Sequence, residues 1–308
     1  MAANEQFHRQ VTLLVQVLPF IAEESCFALK GGTAINLFIR DMPRLSVDID
    51  LAYLPIADRD TSLKAIDTAL CRIAENIRTE LHGVRVHEAL LPNEGIVYKL
   101  IINRDGVQVK VEVTPVLRGC VYEPEMRTVS PQVEATYGFA ETQVVSFHDL
   151  YAGKMVAALD RQHPRDLFDI HNLLNREGVD EAMREAFIVY LISHNRPIAE
   201  VLAPNLRDIT PDFGREFIGM TEKPVTIEEL LKAREQLIRT MVDDMPQNHR
   251  ELLLSFEQGE PDWSLIAVSS VENLPAVQWR MNNNKQLAEA RRRMLAESLY
   301  EVLGLNVK

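Results

Sequence analysis

The stretch that most constrains the fold is residues 30–50, KGGTAINLFIRDMPRLSVDID. An apolar segment, FALK, runs into two glycines, which predicts a short strand, a tight turn and a helix for which Thr33 is a natural N-cap. The next apolar run carries Asp48 and Asp50 one residue apart and predicts a second strand. This order of elements is typical of a mixed α/β domain.

Polar and apolar residues alternate in the second strand, LSVDIDL, so that three polar side chains share one face: Ser46, Asp48 and Asp50. Two carboxylates about 7 Å apart on one face repel each other unless a cation lies between or beside them. Mg²⁺ prefers a few carboxylates together with phosphate oxygens and water, so the pair indicates a phosphate-transfer site. A solvent-exposed strand face is the alternative for D-x-D alone.

The glycine turn directly before this strand favours the phosphate interpretation. Gly31 and Gly32 let the backbone approach a ligand closely, and the helix that follows would aim free N–H groups at an anion. Helix capping alone remains the alternative role for Thr33. Together, the turn and the acidic strand describe a triphosphate held on one side and metal ions on the other.

A third acid lies in VQVKVEVTP, where Lys110 and Glu112 share one strand face. Glu112 could complete the metal site, or it could form an ordinary cross-strand ion pair. In a two-metal mechanism such a residue binds the metal that activates the attacking hydroxyl and takes its proton. Asp105-Gly106 suits a tight turn, so residues 95–115 are predicted to form a β-hairpin.

The chain changes character near residue 146. Apolar stripes at helical spacing and strand-like runs alternate before it, and helical patterns follow it, beginning at a capping box formed by Ser146 and Asp149. The sequence therefore predicts two domains, residues 1–146 with mixed α/β structure and residues 147–308 with helices.

Composition limits the classes of function. The 308 residues are 46% hydrophobic without a membrane-length apolar run, and the N-terminus lacks a signal-peptide pattern, so we expect a cytoplasmic protein without a membrane partner. The three cysteines lack C-x-x-C pairing, and no H-x-x-x-H spacing indicates a zinc helix. With a net charge of −12, an RNA partner needs a local basic surface. Its candidates are Arg40, Arg44, Lys99, Arg104 and residues 291–293.

Four blocks in order, over about residues 27–175, carry a resemblance to a known family: ALKGGTAINLF, RLSVDIDL, VKVEVTP and HDLYAGKMVAALDRQHPRDLFDIHNLL. The sequence resembles the AbiEii/AbiGii bacterial toxins, a branch of the polymerase-β-like nucleotidyltransferase superfamily. The resemblance implies an α+β fold with an N-terminal nucleotidyltransferase domain followed by a helical domain. One departure is Glu112, since the branch more often has Asp as the third acid.

The resemblance assigns roles to individual residues. It implies that the phosphates of a nucleoside triphosphate are bound by Gly31, Gly32, Thr33, Ser46, Lys154 and Arg165. Helical spacing puts Arg161 on the same face as Lys154, where cations can meet phosphates, so Arg161 joins this set. It implies metal binding, with two Mg²⁺ ions, by Asp48, Asp50 and Glu112. Further catalytic residues would be Lys154, Asp166 and Asp169. From the sequence alone, Arg165 and Asp169 are equally explained by an i, i+4 ion pair, and Asp166 by an ion pair with an arginine of the other domain.

The implied activity is transfer of a nucleoside monophosphate from a triphosphate to an acceptor hydroxyl. The resemblance also implies the toxin of a toxin–antitoxin or phage-defence pair, a winged-helix antitoxin encoded nearby, and tRNA 3′ ends as acceptors in some relatives. Nucleotidylation of a protein or small molecule would use the same pocket. A non-catalytic module that binds a nucleotide or a partner is the third alternative, although all three carboxylates are present.

Overall fold

The computed structural model describes residues 2–304, with side chains from residue 5. It divides into two compact units. The first contains the residues up to Leu150 together with the short segment Thr221–Lys223, and the second contains Tyr151–Met220 and the described residues from Pro224 onward. The predicted division of the chain into domains 1–146 and 147–308 stays a prediction.

A seven-stranded mixed sheet forms the centre of the first unit. Its strands are β1 Phe27–Lys30, β2 Asp48–Tyr53, β3 Arg85–Leu90, β4 Val97–Arg104, β5 Val107–Val113, β6 Glu125–Thr128 and β7 Glu141–Val144. Their order across the sheet is β3-β4-β5-β2-β1-β7-β6. The strand β2 pairs antiparallel with β1 and parallel with β5. The strand before the glycine turn and the acidic strand therefore lie side by side in the middle of the sheet.

Four helices belong wholly to the first unit: α1 Ala2–Ala22, α2 Gly31–Ala34, α3 Arg59–Glu80 and α4 Pro131–Tyr137. A π-helical segment, Ile35–Ile39, continues α2. The helix α1 packs on β5 and β7, and α3 packs on β3 and β4. Asp58 caps α3 by accepting a hydrogen bond from the Thr61 N–H at 2.9 Å.

The β4–β5 hairpin confirms the prediction for residues 95–115. Asp105 and Gly106 at its turn both have positive φ, 49° and 79°, as a two-residue turn with right-handed strand twist requires. The burial of β5 alternates, with its four valines buried. The hairpin therefore places Lys110 and Glu112 on the face away from this core.

The second unit is helical. Helix α5, Phe147–Asp160, includes the break between the units, and the following helices are α6 Pro164–Arg176, α7 Glu181–Ile192, α8 Ile198–Leu202, α9 Thr210–Glu216, α10 Ile227–Ile238, α11 Gln247–Gln258, α12 Pro275–Gln286 and α13 Glu289–Val302. A π-helical segment, Arg239–Asp243, follows α10, and the short 3-10 helices Trp263–Leu265 and Val271–Asn273 connect α11 to α12. Mixed sheet first and helices afterwards confirm the predicted α+β class.

Candidate active site

The glycine turn packs directly against the acidic strand. Gly31 has φ +75°, and a Cβ atom there would lie 2.6 Å from Oδ2 of Asp50. A Cβ atom on Gly32 would lie 2.8 Å from a terminal nitrogen of Arg44 and 3.0 Å from Oγ of Ser46. A side chain at either position would collide with groups that line the turn, and L-residues rarely adopt the φ of Gly31.

Thr33 has a different role from the predicted N-cap. The helix begins at Gly31, because the positive φ of that glycine turns the chain as soon as β1 ends, and Lys30 occupies the N-cap position. The Thr33 side chain is buried. Its hydroxyl lies 3.0 Å from Oγ of Ser46 and donates a hydrogen bond to the Asp48 carbonyl oxygen. Thr33 therefore ties the turn to the start of β2.

The two aspartates of β2 point away from the core, as the alternation predicts. Asp48 is exposed and Asp50 is half-buried, whereas Ile49 and Leu51 are fully buried. The strand begins at Asp48, so Ser46 precedes it and reaches the site through its contact with Thr33. Both carboxylates are thus directed to the side of the sheet that the glycine turn approaches.

Glu112 lies opposite Asp50 in the parallel pairing of β2 with β5. Its Oε2 is 2.6 Å from Nζ of Lys99 on β4, and the Glu112 side chain is 42% exposed. This hydrogen bond raises the pKa of Lys99. The sequence left two interpretations open for Glu112, and the structure contains the cross-strand ion pair next to Asp50; the metal-binding role stays a prediction.

Lys30 places an amine at the same point of the sheet. It lies opposite Asp50 in the β1–β2 pairing, and its Nζ donates a hydrogen bond to Oγ1 of Thr114 at 2.9 Å. Burial lowers the pKa of Lys30, while the charges of Asp50 and Glu112 oppose that shift. In its charged form, this amine would offset part of the repulsion between the two carboxylates.

The three predicted metal ligands offer only carboxylate oxygens, which is the donor type that Mg²⁺ prefers. They do not converge: within residues 5–304, the trio of possible ligand groups whose atoms lie within 4.8 Å of one another is Glu181, Glu185 and His249. Two causes keep the carboxylates apart. Glu112 is paired with Lys99, and Asp48 and Asp50 on β2 repel each other. The donor chemistry therefore fits Mg²⁺, and the ion itself would draw the oxygens together.

The predicted site residues of the second unit form a buried charge cluster. Nζ of Lys154 lies 2.8 Å from Oδ1 of Asp166 and 3.1 Å from Oδ2 of Asp169, and these three side chains are 8%, 2% and 1% exposed. Nε of Arg161 lies 2.6 Å from Oδ2 of Asp166. Burial alone would raise the pKa of Asp166, but Lys154 and Arg161 together hold it well below its usual range.

Two interpretations of the R-D-x-x-D block need adjustment. The partners of Asp166 are Lys154 and Arg161 of its own unit, which accounts for the carboxylate without an arginine from elsewhere. Asp169 pairs with Lys154, while Arg165 lies 3.9 Å from Glu216. The i, i+4 spacing on one helix was thus a weaker guide than the ion pairs of α6 with Lys154 and Arg161.

Two candidates for a basic RNA-binding surface are wrong. Arg40 and Arg44 are only 5% and 3% exposed. The guanidinium of Arg40 lies 6.0 Å from the ring centroid of Phe147, and Arg44 donates a hydrogen bond to the Leu45 carbonyl oxygen. With so little of either side chain exposed, neither arginine offers a surface to a polyanion.

The match of most of the sequence to a family model shows the family of this chain. The sequence model of the family described as nucleotidyl transferase AbiEii toxin, type IV toxin–antitoxin system, matches residues 12–283. The chain belongs to this family. It is therefore a nucleotidyltransferase toxin, and membership implies a nucleoside triphosphate substrate and an antitoxin partner.

A solved structure agrees with the AbiEii assignment at the level of fold. The nucleotidyltransferase toxin MenT4 from Mycobacterium tuberculosis H37Rv has 15% sequence identity and a TM-score of 0.61, with 96% of this chain and 93% of that chain covered. A search of curated proteins finds no match. No helix within the described residues has the length and hydropathy needed to cross a bilayer.

Sequence reasoning missed Lys30 and Thr114, which lie beside the predicted acids. Lys30 ends β1, so its position directly before the glycine pair was a usable signal once that strand was predicted. Thr114 follows β5 directly and gains its role only through the hydrogen bond to Lys30. The first residue could have been found by extending the motif by one position, and the second required the sheet register.

Proposed function

We propose that this AbiEii-family protein transfers a nucleoside monophosphate from a nucleoside triphosphate to an acceptor hydroxyl, using two Mg²⁺ ions bound by Asp48, Asp50 and Glu112. The observation that carries the proposal is the contact of the Gly31–Gly32 turn with the β2 acids, where a Cβ atom on Gly31 would meet Asp50 at 2.6 Å. The backbone proposed to bind phosphate and the carboxylates proposed to bind metal would thus lie side by side.

The nucleotide end of the site has groups suited to phosphate. Neither glycine has a side chain to block the backbone of the turn, and the Ser46 hydroxyl and the Arg44 guanidinium lie next to Gly32. Hydroxyl and guanidinium donors, together with backbone N–H groups, are suited to phosphate oxygens. We assign triphosphate binding in this unit to Gly31, Gly32, Thr33 and Ser46.

The acidic end of the site would serve the acceptor. When bound, Mg²⁺ would stabilise charge on the reacting phosphate and favour deprotonation of the attacking hydroxyl. We assign the acceptance of that proton to Glu112, and its register with Asp50 supports this role; the carboxylate would have to leave Lys99 to perform it. Lys30 lies beside the same two carboxylates, and their charges favour its protonated form against the effect of burial. The resemblance supports nucleotide or catalytic roles for Lys154, Arg161, Arg165, Asp166 and Asp169, which stay predictions.

For the acceptor we propose the 3′ end of tRNA, and for the location the cytoplasm, where nucleoside triphosphates and tRNA occur together. The net charge of −12 and the burial of Arg40 and Arg44 work against a large basic surface. A tRNA would therefore be bound chiefly through its 3′ end, with binding that weakens little as salt is raised. The proposed protein partner is a winged-helix antitoxin encoded nearby, and growth inhibition that this antitoxin relieves would support it.

The reaction can be tested with each labelled nucleoside triphosphate, Mg²⁺ and total cellular extract. Label in ribonuclease-sensitive material that comigrates with tRNA supports the full proposal. Label in protein or in small molecules keeps the transferase activity but rejects the RNA acceptor. Asp48→Ala serves as the inactive variant and Asp60→Ala, an exposed acid at the start of α3, as its matched control. Equal label with both variants would reject the assigned active site.

A further inference from the structure

The second unit contains a group of metal-binding side chains that the transferase reaction does not use. Glu181 and Glu185 lie one turn apart on α7, and His249 lies on α11. Each offers one ligand atom, and these atoms all lie within 4.8 Å of one another. Imidazole nitrogen and carboxylate oxygens are common ligands of zinc in proteins.

His249 shows that the group is more than a cluster of acids. Its side chain is only 1% exposed, and its Nε2 lies 3.3 Å from Oε1 of Glu181. This nitrogen makes no hydrogen bond to any residue in the described part of the chain. A buried polar atom without a hydrogen bond is costly, and the atom lies within 4.8 Å of the two carboxylates that would complete a metal site.

The spacing suits a tetrahedral ion. Zinc bonds of about 2.0–2.1 Å to nitrogen and oxygen place two ligand atoms roughly 3.3 Å apart at a tetrahedral angle. The measured distance between Nε2 of His249 and Oε1 of Glu181 is 3.3 Å. Only a small movement of the carboxylates would bring all three atoms to that separation, since none of them is more than 4.8 Å from another.

The two glutamates of the trio differ in their surroundings: Glu185 is buried and hydrogen-bonded, and Glu181 is exposed to solvent. The backbone N–H of Ala267 donates a hydrogen bond to Oε1 of Glu185, whose side chain is buried, and so orients that carboxylate. Glu181 is 61% exposed. Its side chain can therefore rotate onto an ion that enters from solvent, and a water molecule can supply a fourth ligand.

We propose that Glu181, Glu185 and His249 bind one zinc ion, which joins α7 to α11 and stabilises the second unit. The nitrogen ligand disfavours Mg²⁺ and Ca²⁺, which take oxygen ligands. The proposed magnesium site at Asp48 and Asp50 differs in offering oxygen alone. Zinc at the trio would therefore act on the stability of the helical unit and leave the transfer reaction unchanged.

Zinc binding can be measured by competition with a chromogenic chelator, using metal-free full-length protein. The test compares wild type with Glu181→Gln and His249→Gln, and uses Glu251→Gln, an exposed acid on the same helix as His249, as the matched control. We expect one equivalent of zinc, an affinity at least tenfold lower in Glu181→Gln and about 100-fold lower in His249→Gln, and no change in the control. Glu181 is exposed, so its variant is informative even if His249→Gln fails to fold.

Two further readouts separate this site from others. The Asp48→Asn/Asp50→Asn variant should retain the zinc equivalent, and zinc should raise the thermal unfolding temperature of wild type but not of Glu181→Gln. Nucleotide transfer by Glu181→Gln should equal wild type, so failure of the zinc site and failure of the proposed reaction are distinguishable. Zinc binding that is the same in wild type and Glu181→Gln, or that is lost with Asp48 and Asp50, would overturn the proposal.

Discussion

The molecule contains two pairs of aspartates in opposite environments. Asp48 and Asp50 lie on a strand face that is exposed at one residue and half-buried at the other. Asp166 and Asp169 are 2% and 1% exposed, and each carries a lysine contact within 3.1 Å. An ionised carboxylate is buried at acceptable cost only when a cation is buried with it. The buried pair therefore has its cations within the protein, whereas the accessible pair can bind a cation from solution.

Asp48→Ala or Asp50→Ala should have the largest effect in this comparison. We expect nucleotide transfer to fall at least 10³-fold, about 4 kcal/mol in activation free energy, because the metal loses a ligand. The free energy of unfolding should change by less than about 0.5 kcal/mol, since the substitution relieves repulsion at an accessible position. Transfer rates and chemical denaturation of the same samples test this. A wild-type transfer rate in either variant would show that the substituted residue is not part of the active site.

Asp166→Asn should show the reverse, a loss of stability. It leaves Lys154 and Arg161 with less countercharge in a buried position, which should lower the free energy of unfolding by about 3 kcal/mol. Asp244→Asn, at a side chain that is 62% exposed in the same unit, is the control and should change it little. Denaturation in urea measures both, and equal midpoints would contradict a stabilising role for the cluster.

The same cluster predicts how stability depends on pH. The pKa of Asp166 lies below its usual range in the folded protein, so its contribution is present above the unfolded pKa, about 3.9. That contribution is lost as pH falls through the folded pKa. Below about pH 4 the unfolding free energy of wild type should therefore decline more steeply than that of Asp166→Asn. Parallel curves for the two proteins would assign acid sensitivity to other groups.

Glu112 tests whether the accessible pair has a third member. Glu112→Gln keeps the shape of the side chain but removes the charge, so nucleotide binding should survive while the single-turnover rate falls about 10²-fold. Glu112→Asp should retain some activity. Lys99→Met also breaks the ion pair, but it leaves the carboxylate in place and should slow the reaction less. Similar rates for Lys99→Met and Glu112→Gln would make Glu112 only an ion-pair partner.

Gly31→Ala should destabilise the fold less than Asp166→Asn does. The added methyl group would meet Oδ2 of Asp50 at 2.6 Å in a backbone conformation with φ +75°. We expect a loss of about 1–2 kcal/mol in the free energy of unfolding, together with weaker nucleotide binding. Gly178→Ala is the matched control for strain alone, because Gly178 has the same φ but no atom near the added group. If nucleotide affinity is unchanged in Gly31→Ala, the turn does not bind the phosphates.

Short-range patterns were sufficient where neighbours in sequence decide the structure. The alternation in LSVDIDL predicted the direction of Asp48 and Asp50, and Asp105-Gly106 predicted the hairpin. The strand Glu125–Thr128 was missed because it is short, polar and at the edge of the sheet, with mostly exposed side chains. Such a strand leaves little periodicity for a sequence argument to use.

Long-range contacts decided the rest. Arginine is rarely buried, so composition gave no reason to expect Arg40 and Arg44 in the interior. The trio of Glu181, Glu185 and His249 depends on the packing of α7 against α11, and only its glutamate pair has a spacing visible in sequence. Charged groups were thus assigned least reliably where their partners lie far along the chain.

The segment Thr221–Lys223 has a consequence for how the protein is made. It belongs to the first unit, where Thr221 forms a β-bridge with Arg44 and the Glu222 N–H donates a hydrogen bond to the Pro43 carbonyl oxygen at 3.0 Å. During synthesis, the ribosome must therefore release about 70 further residues after Leu150 before this unit is complete. The loop that carries Ser46 and leads to Asp48 is then among the last parts of the nascent toxin to gain its native neighbours.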